Sequence, residues 1–369
     1  MGTILSAALA LLAAILLFAA GGRQSADDES PPAAPDRRPP ALTLRQAVGQ
    51  HMVFAYDGLR PPRDLRRRIA RGEAAGVILF SRNVRSAAQV RATVRGLQAI
   101  RRPLGLRAPL IVMADQEGGP VRRIPGEPVR AAADAGTAAR ARADGRAAAR
   151  TLRAAGVNLD LAPVADVARP GAALERERRT YGRRPRDVAR LAAAFARGLR
   201  EGGVLATGKH YPGFGAAAVN TDVAPARIDA SLGTLRSRDA LPFARLIGSG
   251  VEAIMLSTAV YPALDARPAA FSRRWIGGEL RGRLRFRGVA VSDDLATPAV
   301  ASFGSNGRRA VLAVRAGIDL PLFVSSYGAG TGAAAALLDA ARRRRLERDE
   351  LQAGARRVLA LRAKLSAAR

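Results

Sequence analysis

The chain has 369 residues, 48% of them hydrophobic, with no cysteine and 60 basic against 31 acidic side chains, a formal net charge of +29. The absence of cysteine excludes disulfides, thiolate metal sites and a cysteine nucleophile, and two histidines, His51 and His210, are too few for a multi-histidine metal site. The basic excess is spread along the chain, aromatic content is 4% and no RNA- or DNA-binding motif is present, so the charge reads as attraction to anionic surfaces and not as nucleic-acid recognition.

Thr3–Ala20 is an uncharged, mostly apolar run of 18 residues closed by Gly21-Gly22-Arg23. It is just long enough to span a bilayer, and it resembles the apolar region of a secretory signal although no Lys or Arg precedes it. Residues 1–23 are therefore expected to be an export signal or membrane anchor that puts the rest of the chain outside the cytoplasm, secreted or at the cell surface. A buried core helix is the alternative. Residues 24–41 carry five prolines among Asp, Glu, Ser and Arg, and should form a disordered linker. A single folded domain is expected over residues 42–369, opening at the capping box Thr43-Leu-Arg-Gln46.

From there short apolar runs alternate with helical patterns. Strands are expected at His51–Tyr56, Gly76–Phe80, Pro109–Ala114, Val157–Leu161, Val204–Lys209, Glu252–Leu256, Gly288–Val291 and Ile318–Val324. Helices are expected over Pro61–Gly72, Ala87–Arg101, Val129–Ala155, Arg186–Glu201, Leu232–Ser249, Ser272–Leu284, Gly307–Ala316 and Thr331–Ala368. Eight strands each followed by a helix, with no strand left over, predict a single-domain (β/α)8 barrel of the TIM type; a doubly wound open sheet is the alternative. A barrel puts its chemistry just after the carboxyl ends of the strands.

The polar residues at those ends are distinctive. Asp115 follows the third strand, and Arg178 and Arg179 come after the fourth. Lys209 and His210 end the fifth, Ser257 and Thr258 the sixth, and Asp293 and Asp294 the seventh. Lys209 is one of only two lysines among 58 arginines, and it sits beside one of the two histidines. A compact, rotatable ammonium kept where nearly every other cation has become a guanidinium marks a site. Pro212-Gly-Phe-Gly215 then forces a loop, which carries Asp222. Carboxylates, cations and short donors without metal ligands suit a polyhydroxylated ligand, since each sugar hydroxyl wants a donor and an acceptor. There is no phosphate-binding Gly-rich turn with a Lys.

These pieces resemble glycoside hydrolase family 3, in its single-domain β-N-acetylglucosaminidase branch. The matching segments are Leu79-Phe-Ser-Arg-Asn83, Asp115-Gln-Glu-Gly-Gly119, Ala162-Pro-Val-Ala-Asp166, Lys209-His-Tyr-Pro-Gly213, Tyr261-Pro262 and Ser292-Asp-Asp-Leu295, in family order over roughly Leu42 to Val324. The resemblance implies that Asp293 is the nucleophile of a retaining glycosidase working through a covalent glycosyl-enzyme. It implies that Asp115, Arg123, Arg179, Lys209 and His210 hold the sugar. No cofactor or metal is implied, and the implied partner is an amino-sugar glycan, with peptidoglycan fragments as one candidate. Asp294 is expected to cap the helix that follows.

The sequence departs from the family in the loop. Phe214 stands where the family has His, and Asn220, Thr221 and Asp222 stand for its Asp-Ser-His, so the acid/base imidazole is absent. Two readings follow. In the first, Asp222 replaces the imidazole as acid/base in an active enzyme, with Gly213 and Gly215 letting the loop swing it inward over bound sugar. In the second, the barrel binds amino-sugar polymers at the cell wall without efficient turnover.

Overall fold

The computed structural model describes residues 41–367. The apolar run Thr3–Ala20 and nearly all of the proline-rich stretch lie outside the described residues. Within them no helix is long and apolar enough to cross a membrane.

Eight parallel strands form one sheet: β1 (Val53–Phe54), β2 (Gly76–Ile78), β3 (Ile111–Ala114), β4 (Leu159–Asp160), β5 (Leu205–Tyr211), β6 (Ala253–Leu256), β7 (Val289–Asp294) and β8 (Leu320–Leu322). They are neighbours in chain order, with Val53 beside Gly76, Gly76 beside Ile111, Leu159 beside Leu205 and Val289 beside Ala253. Strands β1 and β8 lie side by side, bringing the sheet round into the expected (β/α)8 barrel.

The strands read as unbroken apolar runs because both faces are buried. Alternate residues divide between two cores. Val53, Ile111, Met113, Leu159, Ala253, Met255, Val289, Val291, Leu320 and Leu322 fill the barrel interior. Phe54, Val112, Ala114, Ile254, Leu256 and Ala290 face outward into the layer beneath the helices.

The helices that build that outer layer are α1 (Leu44–Gln50), α2 (Arg63–Ala70), α3 (Ala87–Gln98), α4 (Ala138–Ala155), α5 (Pro185–Glu201), α6 (Leu241–Gly248), α7 (Asn306–Ala316), α8 (Tyr327–Arg342) and α9 (Arg348–Ala367). Local chemistry starts many of them. The capping box at Thr43 and Gln46 is made in both directions, at 3.0 and 3.2 Å. Ser86, Thr137, Ser305 and Ser326 cap α3, α4, α7 and α8.

Four expectations are corrected. The helix expected from Val129 starts at Ala138, because Gly136 takes φ 62° and Thr137 then supplies the N-cap. The helix expected over Leu232–Ser249 is broken near Asp239, and α6 restarts with Pro242 in its first turn, where a missing N–H costs nothing. The last helical stretch is two helices, parted where Arg344 takes φ 54°. Two small antiparallel hairpins, Gln116–Gly118 with Val121–Arg122 and Val260–Tyr261 with Asp265–Pro268, stand outside the barrel sheet, where no extra strand was expected.

The end of the barrel opposite the strand carboxyl termini is plugged by α9. Val358, Leu361 and Leu365 enter the interior core. Arg362, fully buried, spreads its guanidinium over Pro109 O (3.0 Å), Leu106 O (2.8 Å), Ala108 O (2.5 Å) and Gln50 Oε1 (2.5 Å). Burial, with a contribution from nearby Arg102, lowers its pKa to about 10. Four oxygen acceptors replace water around it.

Candidate active site

The carboxyl ends of β3, β5 and β7, with the loops after β4 and β5, surround a cavity of about 380 Å³. Asp115, Arg123, Arg179, Lys209, His210, Asp222 and Asp293 all line it, so the seven side chains expected to hold the sugar or carry the chemistry are brought to one place. Arg178 is not among them: it takes φ 57° and pairs with Asp134. Ser257 and Thr258 are buried behind the wall, where Ser257 accepts from Ala259 N at 3.0 Å.

Lys209 anchors one wall. Its Nζ lies 2.6 Å from Asp115 Oδ1 and 2.7 Å from Glu117 Oε1. Arg179 grips Glu117 in bidentate fashion, Nε to Oε2 and Nη2 to Oε1, both at 2.9 Å. Arg123 lies 3.6 Å from Asp115 and over the Phe80 ring at 5.6 Å. Burial pushes Glu117 up, but Arg179 and Lys209 outweigh it and hold the carboxyl down at about 2. Burial acts to lower Lys209, and Asp115 and Glu117 reverse this, leaving its pKa above the ordinary value. The ammonium is therefore a fixed cation with its hydrogen-bonding carboxylates already in place. Arginine's planar fork on a rigid stem would not make the same two short bonds.

Glu117 was part of a recognised motif but was given no role from sequence. Its removal measures the network. Glu117→Ala takes one carboxylate partner from each of two buried cations and should destabilise the fold by about 3–5 kcal/mol. Because the folded pKa is depressed, that contribution is complete above the ordinary value of 4.5 and disappears as pH falls towards 2. Urea midpoints for the parent and variant at pH 7 check this, and equal midpoints would rule it out.

Asp166 is the second residue that was quoted but not assigned. It is fully buried, and its oxygens accept from His210 N (3.1 and 3.3 Å), Phe214 N (2.6 Å) and His210 Nδ1 (2.8 Å). With N–H donors on Asp166 and the proton on Nδ1, the imidazole offers Nε2 as its other polar atom. Phe214 is buried and meets the His210 ring edge-on at 5.8 Å. The signal for Asp166 was a carboxylate four residues beyond Ala162 at the end of an apolar strand. What it binds lies 44 residues further along the chain.

The two loop glycines sit where packing leaves no room for a side chain. A Cβ on Gly215 would stand 2.1 Å from Val167 O, and one on Gly213, at φ 131°, would stand 2.6 Å from Asp239 Cβ. Both are required where backbone passes close to other atoms. Beyond them the chain turns at Asn220, whose Oδ1 accepts from Asp222 N at 3.0 Å. Asp222 is exposed at the surface of the loop while lining the cavity. Burial of its carboxyl face, and then Asp293, raise its pKa.

Across the cavity the paired aspartates divide. Asp293 lines the cavity, and among the described residues its Oδ1 accepts only the neighbouring Asp294 N–H, at 2.9 Å. Asp294 Oδ1 accepts from Ala296 N (2.9 Å) and Val324 N (3.1 Å), tying the turn after β7 to the end of β8. The expected role as a helix cap is thus corrected: Thr297 occupies the N-cap position of the next helical turn. Burial lifts Asp294 to about 6.

Comparison with known proteins places this geometry in context. Residues 43–361 match the family model described as the glycosyl hydrolase family 3 N-terminal domain. A secreted glycosyl hydrolase of Arthroderma benhamiae is 40% identical over 342 residues, covering 89% of this chain and 96% of that protein. A beta-hexosaminidase of Alkalilimnicola ehrlichii is 37% identical over 73% of this chain and 79% of its own. Among solved structures, the beta-N-acetylhexosaminidase of Beutenbergia cavernae superposes with TM-score 0.80 at 33% identity, covering 87% of this chain and 99% of that one. The family 3 beta-N-acetylglucosaminidase of Paenibacillus sp. FPU-7 gives TM-score 0.82 at 34% identity over 88% of this chain, which spans 63% of that longer protein.

Proposed function

The chain belongs to glycosyl hydrolase family 3 and is a glycosidase of the β-N-acetylhexosaminidase type, and from that premise we propose that it removes terminal β-linked N-acetylhexosamine with retention, through a glycosyl-Asp293 intermediate and with Asp222 as acid/base. The observation that supports this most is the pairing of carboxyl groups on one cavity. Burial of its carboxyl face and then Asp293 raise the pKa of Asp222, and among the described residues no cation pairs with Asp293. Two carboxyl groups with different environments are what an acid and a nucleophile require.

In the first step an Asp293 oxygen attacks C1, and the C1–O bond to the leaving group breaks. Its electron pair goes to the leaving oxygen, which takes the Asp222 proton. In the second, the Asp222 carboxylate takes a proton from water as the water oxygen bonds to C1. The C1–Asp293 bond breaks in the same displacement, and its pair returns to the carboxylate. The Lys209, Asp115, Arg179 and His210 groups hold the sugar hydroxyls, and Arg123 lies at the rim. Amino-sugar polymers of the cell wall, including peptidoglycan fragments, are the proposed substrate class. The test is proton NMR of a β-linked N-acetylglucosamine disaccharide during hydrolysis. The β anomer should form first, and first appearance of the α anomer would refute the double displacement.

We also propose that the barrel acts outside the cytoplasmic membrane, carried there by Thr3–Ala20. The apolar run supports this, as does the secreted relative in Arthroderma benhamiae. Protease added to intact expressing cells, with cell and medium fractions compared, should find the domain in the medium or digestible at the surface. A domain fully protected inside the cells would contradict it.

A further inference from the structure

We infer that Glu177 is a positioning residue for Asp222, which ties the loop bearing the acid to the cluster that holds the sugar; the inference rests on the acid/base reading just given. Glu177 directly follows the short helix Ala173–Arg176, beside the cavity wall. Its two carboxylate oxygens go in opposite directions. Oε2 accepts from Arg179 Nη1 at 2.9 Å, and Oε1 accepts from Asn220 Nδ2 at 3.3 Å. Asn220 in turn takes the Asp222 N–H on its Oδ1, and its backbone oxygen takes Val223 N at 3.0 Å and Ala224 N at 3.3 Å. A carboxylate can only accept, so Glu177 also fixes which end of the Asn220 amide faces Asp222.

A continuous line of hydrogen bonds, charge-assisted as far as Asn220, therefore runs from Lys209 through Glu117, Arg179 and Glu177 to Asn220 and the backbone of Asp222. The same short helix grips the loop a second time, where Arg176 Nη2 donates to Ala218 O at 3.0 Å. With Gly213 and Gly215 packed tightly, the loop is held at its stem by close contact and at its tip by Glu177. An acid has to lie within hydrogen-bond reach of the leaving oxygen, and misplacement by about 1 Å costs roughly 100-fold. The residue that sets the tip of the loop therefore acts on the two proton transfers that Asp222 serves, and kcat/KM, which reports the first step, reads protonation of the leaving group.

The test is a double-mutant cycle on the full chain, read with a β-linked N-acetylglucosamine disaccharide and with the nitrophenyl glycoside. Glu177→Ala and Asn220→Ala should each lower disaccharide kcat/KM by about 10- to 100-fold and lower that of the nitrophenyl glycoside only a few-fold. Glu177→Gln keeps one acceptor oxygen and should recover part of the loss. In an Asp222→Ala background, Glu177→Ala should have no further effect on the disaccharide. In an Asp293→Asn background it should leave the disaccharide Kd unchanged. Equal losses on both substrates, a loss that adds fully to that of Asp222→Ala, or weakened disaccharide binding would each overturn the inference by showing that Glu177 works through Arg179 and sugar binding. If Asp222→Ala itself shows no dependence on leaving group, the acid assignment fails and this inference falls with it.

Discussion

Asp293→Asn should lower turnover of every substrate by on the order of 10⁴-fold or more, while the barrel stays folded and still binds sugar. The side chain that changes lines the cavity and accepts one local N–H, so an amide of the same shape keeps the structure and loses the nucleophile. Asp294→Asn is the matched control. Its oxygen is an acceptor for Ala296 and Val324, which an amide oxygen serves as well, and its effect on turnover should be far smaller. It carries a separate signature in pH. The Asp294 carboxyl is raised to about 6 in the folded chain from an ordinary 3.8, so its protonation favours the fold at low pH and that advantage is lost as pH rises through 6. Asn does not ionise, so Asp294→Asn should be more stable than the parent above pH 6 by about 3 kcal/mol, converging with it near pH 4. Calorimetric unfolding across that range, alongside kinetics, reads both effects. Equal losses of turnover in the two variants, or loss centred on Asp294, would reassign the nucleophile.

Asp222→Ala should divide substrates by leaving group. A nitrophenolate departs as a stabilised anion and needs little proton assistance, whereas a sugar alkoxide needs it badly. General acid catalysis supplies about 10²–10⁴-fold, and the disaccharide should lose most of that. Formation of the glycosyl-enzyme from the nitrophenyl glycoside should be nearly preserved, with its breakdown slowed because no base activates water. Azide needs no deprotonation and should restore breakdown, releasing the β-glycosyl azide. Equal slowing of both substrates with no effect of azide would mean that Asp222 is not the acid. A parent protein that binds the disaccharide and turns over neither compound would be a glycan-binding barrel instead.

The architecture was legible in the sequence because each barrel strand is apolar on both faces and each is followed by a helical period. The cavity was legible because Asp115, Lys209, His210 and Asp293 fall directly at strand ends, and because a lysine is conspicuous in a chain whose cations are almost all arginine. Less legible was anything decided by partners distant in sequence. Glu117 reads as one acid in a motif until Arg179 arrives 62 residues later to grip it. Glu177 sits in an arginine-rich stretch that looks like solvated surface, and it has meaning only through Asn220, 43 residues on. Gly213 and Gly215 read as hinges because a glycine's freedom is visible in a sequence. The atoms crowding it, Asp239 and Val167, are not.

The buried guanidinium of Arg362 has a consequence for assembly. Its partners, Gln50, Leu106, Ala108 and Pro109, are made some 250 to 310 residues before it during synthesis. Until α9 has been made, those four oxygens lack the Arg362 guanidinium, and the interior layer lacks Val358, Leu361 and Leu365. The floor is thus completed by a part of the barrel that is made after all of its partners, which works as a keystone. A nascent chain that has already produced every cavity-lining residue still lacks the helix that closes its floor.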